Sequence, residues 1–169
     1  MRILGIDCGS QVTGYGVLES NGRRHRLLEY GTIRTKSKDP FAERLQTIYQ
    51  GIRKVFESHE PEGVAVESAF HGVNARSALQ LAHVRGVALL AGAEAGLAVG
   101  EYSPLEVKAS VVGYGRASKE QVQLMVSSLL AIREPIRSAD ASDALAVAIC
   151  HATRVPMGAS TQRRGEAVV

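Results

Sequence analysis

Between residues 35 and 40 the hydrophobic pattern of this chain changes period, and that change limits the folds open to it. Before it, Ile3 to Asp7, Tyr15 to Glu19 and Leu27 to Thr35 read as short apolar or alternating strands. They are separated by the turn signal Gly9-Ser10-Gln11-Val12-Thr13-Gly14 and the basic turn Asn21-Gly22-Arg23-Arg24-His25-Arg26. Strands joined this closely form an antiparallel meander. After it, Asp39-Pro40 reads as a helix start, with Asp39 as the cap and Pro40 as the first helical residue. Phe41, Leu45, Ile48, Ile52, Val55 and Phe56 then recur at helical spacing up to a stop at Glu60-Pro61. Gly63 to Glu67 is expected as a buried strand, Ala75 to Gly96 as a helix and Val99 to Tyr102 as a fifth strand. Pro104 to Val112 is expected as a short helix. Ser118-Lys119-Glu120-Gln121 has the capping-box pattern and opens a segment that Pro135 should stop, and Ser138 to Arg154 reads as a last helix. A meander followed by helix-crossover strands means an α/β domain: a mixed five-stranded sheet flanked by helices.

Residues 1–155 are expected to form one domain of ordinary size, and 156–169, polar and rich in Gly, Ser, Gln and Arg, a disordered tail. No apolar run approaches the ~20 residues needed to span a bilayer. The apolar opening is too short for a signal peptide and reads as a strand. Cys8 and Cys150 stand at no metal-ligand spacing. That argues against zinc and for a reducing, cytoplasmic setting. The helix from Ala75 is apolar on two faces, Leu79-Ala82-Gly86-Leu90 and Leu81-Val84-Ala88-Ala91. Such a helix is either central in the core or shared with a second subunit.

Four acids occupy positions where acids are costly or grouped. Asp7 closes the first strand and Glu67 the fourth; an acid that ends an apolar strand needs a partner. Asp140 and Asp143 stand three apart at the start of the last helix and so share a face. If the first and fourth strands pair in parallel, Asp7 and Glu67 lie side by side, and the last helix need only lower its first turn over them. Two like charges roughly 4 Å apart repel by about 4 kcal/mol at an effective dielectric of about 20, so such a group demands a cation. An all-oxygen site that retains water suits Mg2+, and two such ions can drive in-line phosphodiester hydrolysis without a protein nucleophile. The net charge is only +3, but fifteen of the 20 basic residues are arginine, the side chain that best forks onto phosphate. Lys119 sits in a helix first turn, where the dipole disfavours a cation, which hints at an anionic partner.

Ordered blocks along residues 2–154 resemble the RuvC family of Holliday junction resolvases. They are Gly5-Ile6-Asp7-Cys8-Gly9-Ser10-Gln11-Val12-Thr13-Gly14-Tyr15-Gly16, Val66-Glu67-Ser68-Ala69-Phe70, Asn74-Ala75-Arg76-Ser77-Ala78-Leu79, Lys108-Ala109-Ser110-Val111-Val112-Gly113 and Asp140-Ala141-Ser142-Asp143-Ala144-Leu145-Ala146. The resemblance implies an RNase H-like fold, a symmetric homodimer, Mg2+ dependence (Mn2+ as substitute), paired cutting of four-way junction DNA in recombination and repair, and work beside the RuvA–RuvB branch-migration complex of bacteria. It further implies Asp7, Glu67, Asp140 and Asp143 as metal ligands and Lys108 and Lys119 near the scissile phosphate. Phe70 would stack on an unpaired base. Arg76, which starts the helix beside Phe70, is expected to touch phosphate. One departure is Cys8, where the family usually has proline; it adds a thiol beside the metal ligands that modification could reach. A rival reading, an actin-like or sugar-kinase-like ATPase, shares the Gly5-Ile6-Asp7-x-Gly-Ser turn. It needs a second domain and an Asp-Gly-Gly loop that this sequence does not contain.

Overall fold

The computed structural model describes residues 1–68 and 74–155. Phe70 and the expected tail 156–169 lie outside the described residues. The elements run β1 (Arg2–Asp7), β2 (Val12–Ser20), β3 (His25–Arg34), α1 (Phe41–His59), β4 (Gly63–Glu67), α2 (Ala75–Glu94), β5 (Ala98–Tyr102), α3 (Pro104–Val112), α4 (Lys119–Leu129) and α5 (Ala139–Arg154). The strands form one sheet in the order β3-β2-β1-β4-β5. β1, β2 and β3 pair antiparallel as the expected meander, and β4 and β5 are added parallel to β1. This is the mixed five-stranded sheet that the period change implied.

Strand alternation divides the core in two. Leu4, Ile6, Val17, Val64 and Val66 face α1 and α2, against Ile48, Ile52, Phe56, Val84, Ala88 and Ala91. Ile3, Leu18 and Ala65 face the other way, onto α5 with α3 and α4 behind it. The two faces expected of α2 separate cleanly. Val84, Ala88 and Ala91 are fully buried, whereas Leu79 is 61% and Leu90 54% exposed.

Two boundaries differ from expectation. The cap of α1 is Pro40, which has no side-chain acceptor and makes no cap hydrogen bond; Asp39 stands one residue earlier, in a turn where its N–H donates to the Lys36 carbonyl. The helix α4 stops at Leu129, well before Pro135. Ala131 takes a left-handed φ of 52° there, and the Ala131 and Ile132 N–H groups donate back to Ser128 and Ser127. That is a Schellman-type ending built without glycine.

Candidate active site

The parallel register aligns Gly5 with Ala65 and Ile6 with Val66, so Asp7 and Glu67 are the next residues on adjacent strands. Both lie on the α5 side of the sheet, at one end, about 4.8 Å apart in strand spacing. What brings α5 to them is the absence of side chains. A Cβ added at Gly14, the partner of Asp7 across the ladder, would lie 2.0 Å from the Asp140 carbonyl oxygen. One added at Gly5 would lie 2.1 Å from that of Ala144. The helix therefore rests backbone on backbone over β1 and β2, which sets its first turn at the strand ends. Ser138 caps that turn by accepting from the Ala141 N–H, and its hydroxyl donates to Asp140 Oδ2 at 3.3 Å.

The electrostatics follow from this convergence. Burial, then the Glu67, Asp143 and Asp140 carboxylates in that order, push the Asp7 carboxyl up to about 7, with Lys119 opposing. The Lys119 ammonium donates to Asp143 Oδ2 at 2.7 Å, and this bond raises its own pKa. Capping of α4 by Ser118, a reciprocal box with Gln121, fixes where Lys119 leaves the chain. Glu67, Lys108, Lys119 and Asp143 share the wall of a cleft of about 160 Å³, with Pro104, Val107, Val122 and Ala146 as its apolar lining. All four expected acids and both expected lysines thus meet at one end of the sheet. Arg76 stands exposed on the first turn of α2 and is not among the residues lining that cleft. The basic turn after β2 lies at the opposite end of the sheet, beside the start of β1, and Arg26 there is taken by Glu19 at 2.7 Å. Desolvation, then the Asp7 carboxylate, push the half-buried Cys8 thiol up.

As a metal site, the donor set fits in kind: four carboxylates crowd together, and a lysine already answers one of them. In arrangement it is open. Among the described residues no three His, Cys, Asp or Glu side chains are drawn together tightly enough to hold an ion. The strand ends and the helix turn fix where the backbones of the four acids lie. Sequence reasoning missed the glycines under α5, although Gly within a strand marks close backbone approach. It also missed Arg44, buried beneath the turn that follows Asp7.

A family model described as crossover junction endodeoxyribonuclease RuvC matches residues 3–151. Proteins of that name from Syntrophotalea carbinolica and Geobacter sulfurreducens are 57% and 54% identical, covering 90% and 93% of this chain and 94% and 95% of their own lengths. A solved structure of T. thermophilus RuvC in complex with Holliday junction substrate superposes with a TM-score of 0.85 at 36% identity, covering 90% of this chain and 93% of that one.

Proposed function

Since the chain belongs to the RuvC family of crossover junction endodeoxyribonucleases, we propose that it resolves Holliday junctions by paired hydrolysis of opposed strands, with Asp7, Glu67, Asp140 and Asp143 as its metal-holding set. The observation that carries this reading is Asp7. It is half-buried at a strand end, its carboxyl pushed up to about 7 by desolvation and by three further carboxylates around it. Carboxylates crowded in this way repel one another unless a cation shares the site. Four carboxylates, all oxygen, select Mg2+, with Mn2+ as a substitute. When bound, a pair of such ions would stabilise charge on the phosphate and make water nucleophilic near neutral pH. The residues do the rest: the acids anchor and orient, and Lys119 and Lys108 on the cleft wall draw the phosphate in. By family position, Phe70 stacks on a base, for about 1–3 kcal/mol; Arg76, at the start of α2, meets a neighbouring phosphate.

Two cuts need two sites. The exposed stripe of α2, with Leu79 and Leu90 and an open Gly86 between them, is the surface we assign to an isologous dimer. In this reading the dimer acts beside the RuvA–RuvB machinery on junctions already being migrated. Among the described residues no helix is long and apolar enough to cross a membrane. The direct test is a synthetic four-way junction with Mg2+. Symmetric, ligatable nicks on opposed strands are expected, and an intact junction in both Mg2+ and Mn2+ would overturn the assignment. Leu90→Glu should give a monomer by sedimentation and lose paired cutting; an unchanged dimer would remove α2 from the interface.

A further inference from the structure

In the turn after Asp7, three successive carbonyls, those of Gly9, Ser10 and Gln11, are taken by the protein itself. The Gly9 carbonyl accepts from Thr13 Oγ1 at 2.8 Å. The Ser10 carbonyl accepts from Thr35 Oγ1 at 2.8 Å and from Arg44 Nη2 at 2.6 Å. The Gln11 carbonyl accepts from the Thr35 N–H at 2.9 Å. A planar trans peptide points its N–H away from its C=O, and no peptide in the described chain is cis. The Ser10 and Gln11 N–H groups therefore point outward, at the catalytic end of the sheet. Among the described residues neither has an acceptor. Ser10 is half-buried and Gln11 exposed, so both peptide donors and both side chains are within reach of a ligand.

Beneath the turn lies a buried cation. Arg44 is 7% exposed and is held by Ser10, by Thr35 Oγ1 at 3.2 Å and by the Phe41 ring at 5.5 Å. Among the described residues no carboxylate forms an ion pair with it. A guanidinium taken out of water without a counter-charge is costly, and its field acts on whatever sits above it. Arg34, Lys36 and Lys38 are exposed around the same corner and outnumber Asp39 and Glu43. Outward amides over a cationic floor are the composition of an anion nest.

We propose that the Gly9–Gln11 turn is a cradle for a backbone phosphodiester of the DNA strand being cut, adjacent to the scissile one, and that Arg44 and Thr35 are the positioning residues that keep its amides facing outward. The inference rests on the reading of the chain as a junction nuclease. Ser10 follows Asp7 by three residues, so the cradle lies within about 10 Å of the acids. At about 3.4 Å of axial rise per nucleotide, the phosphate it takes is within about three positions of the cut.

The test uses junctions that carry one uncharged methylphosphonate at each of the first three positions on either side of the cut. Single-turnover cutting at subsaturating enzyme is measured for the wild-type protein, Arg44→Lys and Thr35→Val, with folding checked by circular dichroism. The wild-type protein should lose about tenfold at one position off the cut, the scale of a hydrogen bond to a charged group. Both variants should be slower on the unmodified junction and lose less than twofold more at that one position, while keeping the wild-type penalties elsewhere. A general weakening of the fold would slow all junctions alike and would not erase a single position. Equal penalties at every position in the wild-type protein and the variants would overturn the cradle. So would a wild-type protein that tolerates every off-cut methylphosphonate, which needs no variant. If Arg44→Lys does not fold, Thr35→Val, which keeps the buried cation, decides alone. A wild-type protein that leaves the unmodified junction intact overturns the nuclease reading instead, and the cradle with it.

Discussion

The two faces of the sheet solve different problems. Toward α1 and α2 the strands present Leu4, Ile6, Val17, Val64 and Val66, and the helices answer with Ile48, Ile52 and Phe56. Full-sized side chains there fill volume and hold the helices off. Toward α5 the strands set Gly5, Gly14, Gly16 and Ala65 beside Ile3 and Leu18, and the helix lays Ala144 and Ala148 on Gly5, its Asp140 backbone on Gly14 and Leu145 on Gly16. One face gains stability from buried apolar area. The other gives up some of that area for closeness, because a carboxylate is short. Four of them converge only if the helix carrying two can almost touch the strands carrying the others. Precision is concentrated on the thin face and tolerance on the thick one.

Substitution of Asp7 separates the faces most widely. Asp7→Asn should lower cutting on the order of 10³-fold or more while junction binding persists. The same change should stabilise the ion-free protein. The fold pushes the Asp7 carboxyl up to about 7, above the ~3.9 of an exposed aspartate. A raised carboxyl pKa means that the folded state prefers the proton. The penalty is absent below the unfolded value, grows as pH rises between the two, and is complete above the folded one. Asp7→Asn should thus melt several degrees higher than the wild-type protein at pH 8, at about 2–4 °C per kcal/mol, and at the same temperature near pH 4. Added Mg2+ should close the gap at pH 8 by stabilising only the wild-type protein. Equal melting at both pH values would mean that Asp7 is not strained. No substitution on the α1–α2 face is expected to stabilise and inactivate together.

The next largest effect tests closeness itself. A single methyl at Gly14 meets the Asp140 carbonyl at 2.0 Å, backbone against backbone, where no rotamer relieves it. Gly14→Ala should push the first turn of α5 off the strands and slow cutting about 10²-fold, the usual cost of misplacing catalytic groups by an ångström. Melting and single-turnover cutting measured together would check it. Wild-type cutting by a folded Gly14→Ala protein would show that the acids do not depend on that contact.

The thick face was the easier one to read. Alternation and helical spacing gave its strands and helices their places, because apolar periodicity is what such a face consists of. The acids of the thin face were legible for the opposite reason. Asp7 and Glu67 each interrupt an apolar run, and Asp140 and Asp143 repeat at i, i+3. How the thin face closes was hidden. Gly5, Gly14 and Gly16 read as turn and strand punctuation until the helix lying on them is seen. Arg44 looks like an ordinary polar position on an amphipathic helix; its target, the Ser10 carbonyl, is 34 residues away in sequence. The end of α4 was misplaced because Ala131 adopts a conformation that side chains disfavour, so no glycine announced it.

The smallest expected effect sharpens the contrast from the other side. Ile52 is 1% exposed and sits among Leu4, Ile48, Phe56 and other members of the thick-face core. Ile52→Val removes one methyl from packing made of side-chain volume, which neighbours can partly refill. The loss should be about 0.5–1.5 kcal/mol by denaturant unfolding. Cutting should stay within twofold of the wild-type rate, since no backbone in contact with the acids moves. The α1–α2 face would then be support whose details the site does not feel. Loss of cutting out of proportion to the loss of stability would instead mean that the sheet passes strain from one face to the other, and the division of labour between them would have to be abandoned.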